Sequence, residues 1–297
     1  MKIDLYARCW NEGDMLPFFF LHYDDLVQRY VIYDDGSSDN SQELLRLNPK
    51  VELRPMPPYS DPESRIASAV ALQDGCWKES RGIADWVIIT DIDEHLYHPN
   101  IHEHLEQCRK GGVTIIPALG YEMLSEQFPE HKIPLCRSVT MGACFAMCSK
   151  LNIFSPEIDA VNYDPGRHRA APAGRIVLPV RDELQLLHYH YVGFDRVRKR
   201  HMQFLTRQRK RDFEMRWGHQ YSWSDELFRE NWNLIASRLV DVSRPDLRPW
   251  ETHEEPRWWE HYHRATAPQS RDRGWIPNLL ARTRSTFACK SQKFSLI

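Results

Sequence analysis

Over its first 120 residues the chain alternates short apolar runs with segments of helical period. The runs are Ile3 to Cys9, Tyr30 to Tyr33, Val51 to Pro55, Trp86 to Thr90 and Val113 to Ile116. Strands separated in this way predict an α/β fold, a mostly parallel sheet with helices on both faces. Leu16, Phe19, Phe20, Tyr23 and Leu26 recur at helical spacing, with Asp14 as the expected cap and Pro17 tolerated in the first turn. Asp39 and Gln42 read as a capping pair for a second helix, and Pro62 to Glu79 as a third. From Gly120 the alternation stops, and prolines from Pro129 to Pro179 punctuate short strand-like pieces, read as an excursion over one end of the sheet. Gln185 to Tyr191 is a further strand, Phe194 to Trp217 a basic helix, and Ser224 to Val240 another helix. The expected division is a sheet domain over 1–192 and a basic, helical extension over 193–297.

The charge balance, 39 Lys+Arg against 41 Asp+Glu, with 42% hydrophobic residues, is that of a globular chain and excludes disordered, collagen-like and small disulfide-scaffold classes. No apolar run approaches the ~18 residues of a membrane span. The start, Met1-Lys2-Ile3-Asp4, lacks the pattern of a signal peptide. Seven cysteines without a C-x-x-C pair read as reduced thiols, so the expected location is the cytoplasm, with a peripheral position on the inner membrane face as an option. No G-x-G-x-x-G follows the first strand and no P-loop is present, which excludes dinucleotide dehydrogenases and P-loop enzymes.

The chemistry concentrates at strand ends. Trp86 to Glu94 is an apolar strand that closes on Asp91-Ile92-Asp93. Residues i and i+2 of a strand face one way, so both carboxylates are expected to project together from the carboxyl edge, where open α/β sheets bind ligands. Such a pair suits Mg²⁺ or Mn²⁺, or is simply solvated. Val31 to Asp39 delivers Asp34 and Asp35 to the same edge, as hydrogen-bond acceptors for a ribose or base or as a plain turn. Arg8 to Glu12 ends the first strand there as well. His188 and His190 share one strand side, either as metal ligands or as core histidines, and His168 sits in a polar loop.

In this order the segments Arg8 to Leu16, Ile32 to Ser41 and Trp86 to Leu96 resemble the family 2 glycosyltransferases with the glycosyltransferase-A fold, best their short bacterial single-domain branch. The resemblance is good over residues 1–125, looser through Tyr191, and does not reach the last hundred residues. It implies a metal-dependent transfer of sugar from a nucleotide-diphosphate sugar to an acceptor hydroxyl on a glycan or lipid-linked acceptor, with Mn²⁺ or Mg²⁺. Asp35 and Glu12, with Arg8, would face the nucleotide, Asp93 would bind the metal on the diphosphate with Asp91 nearer the ribose, and His188 or His190 would complete the metal shell. A base for the acceptor is expected from the excursion, Glu122 or Glu126, with Asp159 and Asp164 behind them. Two rival readings stand beside this one. The first is a nucleotide-binding pseudoenzyme. The second is a nucleic-acid or anionic-membrane module using the basic helix with Phe204, Phe213 and Trp217, although the slightly negative overall charge speaks against nucleic acid.

Overall fold

The computed structural model describes residues 1–130, 133–253 and 256–266, so the expected extension beyond 266, Cys289 included, lies outside the described residues. The first strand, β1 (Ile3–Cys9), sends Ile3, Leu5 and Ala7 to one core and Tyr6 to another, as the two-residue period requires. The chain continues through α1 (Leu16–Tyr23), β2 (Arg29–Asp34), α2 (Ser41–Leu47), β3 (Val51–Pro55), α3 (Arg65–Gln73) and β4 (Trp86–Asp91). Strands pair in parallel in the order β3-β2-β1-β4, with Leu5 opposite both Tyr30 and Ile88. Tyr30, Ile32, Trp86 and Ile88 pack with Leu16 and Phe19 of α1, whereas Val31, Val87 and Ile89 pack with Trp77 and Val70 on the opposite face. The expected α/β architecture with helices on both faces is present.

Past Asp91 come β5 (Glu94–Tyr97), α4 (Ile101–Lys110), β6 (Ile115–Ser125), α5 (Leu135–Ser138), β7 (Met141–Cys144), β8 (Lys150–Phe154) and β9 (Gln185–Val192). β8 lies antiparallel between β4 and β6, so β6 runs in the same sense as β4. β6 does not stop at the expected Ile116 but runs through Gly120, pairing first with β8, then with β7 and in parallel with β9. Glycine permits this: a Cβ at position 120 would lie 2.1 Å from the carbonyl carbon of Cys148, whose turn rests against the strand. β5 pairs with β9 alone, antiparallel.

The C-terminal segment forms α6 (Phe194–Leu205), α7 (Lys210–Glu214), α8 (Asp225–Ala236), β10 (Val240–Asp241) and α9 (Pro249–Thr252). The single basic helix expected over Phe194 to Trp217 is thus two. The break presents Asp212, which is fully buried and serves two helix starts at once. It accepts from Arg209 N (3.1 Å) at α7 and from Ser64 Oγ (2.6 Å) and Arg65 N (3.2 Å) at α3. β10 joins the sheet edge through β7, and Arg257, Trp259 and Arg264 converge on the buried Asp182. Three local expectations are corrected. α1 has Met15 and not Asp14 at its N-cap, so it starts without a side-chain cap, and Asp14 pairs with Arg196. Gln42 reaches Asp34 (2.7 Å) instead of completing a capping pair. The third helix ends at Gln73, followed by a 3₁₀ turn over Cys76–Ser80. No helix among the described residues is long and apolar enough to cross a membrane.

Candidate active site at the carboxyl edge of the sheet

The two acids at the end of β4 do not project together. The strand ends at Asp91 and reverses into β5 with Ile92 and Asp93 forming the turn, so the two-residue period no longer applies. Thr90 Oγ1 donates to the Glu94 carbonyl (3.0 Å) and Asp91 N to Glu94 Oε2 (3.2 Å), which closes the turn. Asp91 accepts from Arg167 Nη2 (2.9 Å) and lies 3.7 Å from Arg8. Asp93 instead faces β9, with Oδ2 3.7 Å from His188 Nε2 and 3.6 Å from His190 Nδ1. One ligand atom from each of Asp93, His188 and His190 lies within 4.8 Å of the others, and Asp91 is not in this cluster. In the structure Asp91 is paired with arginines and not grouped with Asp93, His188 and His190.

The third acid of the run, Glu94, escaped the sequence reading. It is fully buried and accepts from Lys150 Nζ (2.6 Å), Asn152 Nδ2 (3.0 Å) and Arg167. Arg167, itself 1% exposed, also donates to the Ile89 carbonyl (2.8 Å), which ties the polar loop to the end of β4. Arg167 adopts a left-handed φ of 59° directly after Gly166, a conformation uncommon for a residue with a Cβ. A Pro-Gly dipeptide before an arginine was the available signal. His168, singled out from the same loop, is held by the Met147 carbonyl (2.6 Å).

Alternation along β9 puts His188 and His190 on one side and buries Tyr189 on the other. Each imidazole is gripped from behind. His188 Nδ1 lies 3.1 Å from Glu122 Oε1 and 3.3 Å from Cys148 Sγ, and His190 Nε2 lies 2.8 Å from His201 Nε2 of α6. Burial works against charge on His188, but Glu122, Cys148 and Asp93 prevail and hold its pKa well above the ordinary value. Burial likewise opposes the Asp93 charge, and His188 and His190 overcome it, keeping the carboxyl below the usual range. Burial lowers His201 to about 2, so that ring is neutral.

Glu122 is 5% exposed and sits behind His188, and Glu126 is exposed and bound to Arg229 (3.0 Å). Asp159 and Asp164 are exposed residues outside the cluster. Glu122 stands where a carboxylate orients a metal-binding histidine. For a divalent cation held at His188, Glu122→Gln is expected to weaken its binding by about 10- to 100-fold in a calorimetric titration. Unaltered affinity would show that His188 is oriented without it.

The rest of the edge is built from strand ends and α6. Asp35 accepts from Tyr59 OH (2.8 Å) and lies 2.9 Å from Arg207 Nη2. Glu12 accepts from Arg200, which also donates to the carbonyls of Trp10 and Asn11 (2.8 Å each). Burial pushes the Glu12 carboxyl up to about 8 against the pull of Arg200. Arg207 lies over the Trp10 ring (4.2 Å), and Tyr221 stacks on Phe204 (5.1 Å). Arg196, Arg200 and Arg207 thus face the acids of the sheet edge, and Arg198 faces Asp225. These four arginines are therefore engaged by acids of the chain itself, while Lys199 and Arg216 of the same segment are exposed. Three buried guanidinium N–H groups at the edge are without acceptors: Arg8 Nε, Arg65 Nε and Arg207 Nη1. Arg65, the first residue of α3, is 8% exposed and lies over the Phe204 ring at 5.5 Å. Beside Asp35 opens a cleft of about 650 Å³ that reaches Arg46, Arg54 and Met56.

No protein-family profile matches the chain, and no curated protein matches it. Among solved structures it is similar to S. aureus TarS in complex with UDP-GlcNAc, at 12% identity over 52% of this chain and 46% of that chain, with a TM-score of 0.30. It is also similar to glucosyl-3-phosphoglycerate synthase from Mycobacterium tuberculosis in complex with Mn²⁺, UDP-glucose and phosphoglyceric acid, at 16% identity over 41% of this chain and 44% of that chain, with a TM-score of 0.28. The chain spans less than half the length of these relatives. A likeness of this extent decides nothing about the site.

Proposed function

We propose that the protein is a metal-dependent glycosyltransferase of the glycosyltransferase-A type, which moves a sugar from a nucleotide-diphosphate donor to the hydroxyl of a glycan or lipid-linked acceptor. The observation that carries this reading is the convergence, on one sheet edge, of three recognition elements. Asp35 offers a carboxylate beside an open cleft, Arg8 and Arg65 offer buried N–H donors without acceptors, and Asp93, His188 and His190 offer a cation cluster. A nucleoside diphosphate carries matching groups: hydroxyl and base donors, two anionic phosphates, and a leaving oxygen that a cation can neutralise.

In this reading Asp35 accepts from the ribose or base, and Arg8 and Arg65 donate to phosphate oxygens. Asp93, His188 and His190 hold the cation, with Glu122 and His201 orienting the two imidazoles. One carboxylate with two imidazoles suits Mn²⁺ better than Mg²⁺, which prefers oxygen ligands throughout. The cation supplies neutralisation of the charge that grows on the leaving diphosphate. The bond between the anomeric carbon and the diphosphate oxygen breaks with its electron pair left on the diphosphate, the bond to the acceptor oxygen forms, and the hydroxyl proton passes to water.

Calorimetric titration of UDP, GDP and CMP into the purified protein, with and without Mn²⁺, tests the proposal. One nucleotide is expected to bind, and only with the metal. Failure of all three in both conditions would overturn the reading.

A further inference from the structure

A second group of ligand-type side chains gathers at the other end of the β5/β9 ladder. The two strands pair antiparallel from Glu94 opposite His188 to Tyr97 opposite Gln185. His98, just past the end of β5, and Glu183, just before β9, therefore meet at the end remote from Asp93 and His190. The first turn of α4 brings His104 to the same place. The His98 and His104 rings stack with centroids 4.4 Å apart and planes 21° apart. His104 Nδ1 is 3.7 Å from Glu183 Oε2, and one ligand atom of each of the three residues lies within 4.8 Å of the others.

The surroundings favour a metal over a simple polar cluster. His104 Nε2 faces the sulfur of Cys108 at 3.8 Å, one helical turn further on. With the proton on that nitrogen, the lone pair sits on Nδ1 and points toward Glu183, the arrangement a ligand histidine needs. The Asn100 backbone N–H donates to His98 Nδ1 (3.1 Å), so Nδ1 carries the lone pair of that ring and a cation would take it in place of this hydrogen bond. Among the described residues, the cationic side chain paired with the group is Arg181, 3.4 Å from the other oxygen of Glu183. Two imidazoles and a carboxylate form a three-ligand set that zinc takes, with a fourth position for water.

We propose that His98, His104 and Glu183 form a second divalent-metal site, which takes Zn²⁺ and ties the start of α4 to the ends of β5 and β9. The cation would fix the ladder whose opposite end carries Asp93, His188 and His190. This site does not depend on the glycosyltransferase reading, since none of its residues belongs to the sheet-edge cluster.

The test uses the full chain, stripped by chelator, with His188→Ala and His190→Ala introduced to disable both other clusters of ligand-type residues, Asp93–His188–His190 and Glu122–Cys148–His188. Zn²⁺ content is counted by mass spectrometry, and Co²⁺ serves as the visible-absorption probe. One Zn²⁺ per chain is expected to remain, with Co²⁺ bands of a four-coordinate nitrogen and oxygen site. Adding Glu183→Gln is expected to weaken Zn²⁺ on the order of a hundredfold or more. His104→Ala is expected to do the same, but because it is a buried change, Glu183→Gln at a half-exposed position is the deciding variant, with circular dichroism to confirm folding. Absence of Zn²⁺ in the double-alanine background, or undiminished binding with Glu183→Gln, would overturn the proposal.

Discussion

Asp93→Ala is expected to lower turnover on the order of a thousandfold or more while leaving the protein folded. The side chain is 22% exposed and sits in the turn between β4 and β5, so its removal empties no core volume. The contact that positions the turn is made by the backbone: Tyr189 N donates to the Asp93 carbonyl (2.7 Å), and alanine retains it. What is lost is the only carboxylate in the cluster with His188 and His190. Without it two imidazoles must hold a divalent cation with no anionic ligand, and charge on the leaving diphosphate goes largely unneutralised. Donor consumption measured with saturating Mn²⁺, beside a thermal unfolding curve, checks both halves. Full activity in the folded variant would take the metal away from Asp93.

Glu94→Gln has a different expected result: a loss of about 3–5 kcal/mol of stability, lowering Tm by roughly 10 °C. Glu94, Arg167 and Lys150 have side-chain exposures of 0%, 1% and 6%, so this is a buried cluster of one anion and two cations. Burial disfavours every charge in it. The Arg167 and Lys150 charges nevertheless hold the Glu94 carboxyl well below its ordinary value, and against its own burial Lys150 is shifted upward by Glu94. Glutamine keeps the volume and one acceptor oxygen but turns the other into an NH₂ that faces donors, so the loss combines charge and hydrogen bonding: two buried cations remain, with only Asp91 as a partly exposed counterion to Arg167. Denaturant unfolding followed by tryptophan fluorescence reads the effect. A loss below about 1 kcal/mol, the scale of a surface pair, would show that water reaches the cluster.

These two neighbours show where reading the chain stops. The apolar run before them locates β4 within a residue, and the acids mark its carboxyl end. Their division into a member of the histidine cluster, an arginine partner and a buried anchor depends on a turn closed by Thr90 and on Lys150, Asn152 and Arg167, which lie 56 to 73 residues from Glu94 in sequence. Glu122 shows the same limit. As an acid after an apolar run it reads as an exposed candidate base. It is buried because β6 continues through Gly120 and pairs with β9, which places it opposite His188.

The chain by itself determined the alternation of strands and helices, the collection of Arg8, Glu12, Asp35 and Asp91 at strand ends, and the shared side of His188 and His190. Each follows from periods of two or 3.6 residues and from local turn chemistry, which act over a few neighbours. Tertiary structure alone decided which charge meets which: Asp91 with Arg167, Glu122 behind His188, the α6 arginines on Glu12 and Asp35, and His98 beside Glu183. Those pairings join segments distant in sequence, and their strength is set by separation and burial, which change steeply over a few ångströms that no local pattern encodes.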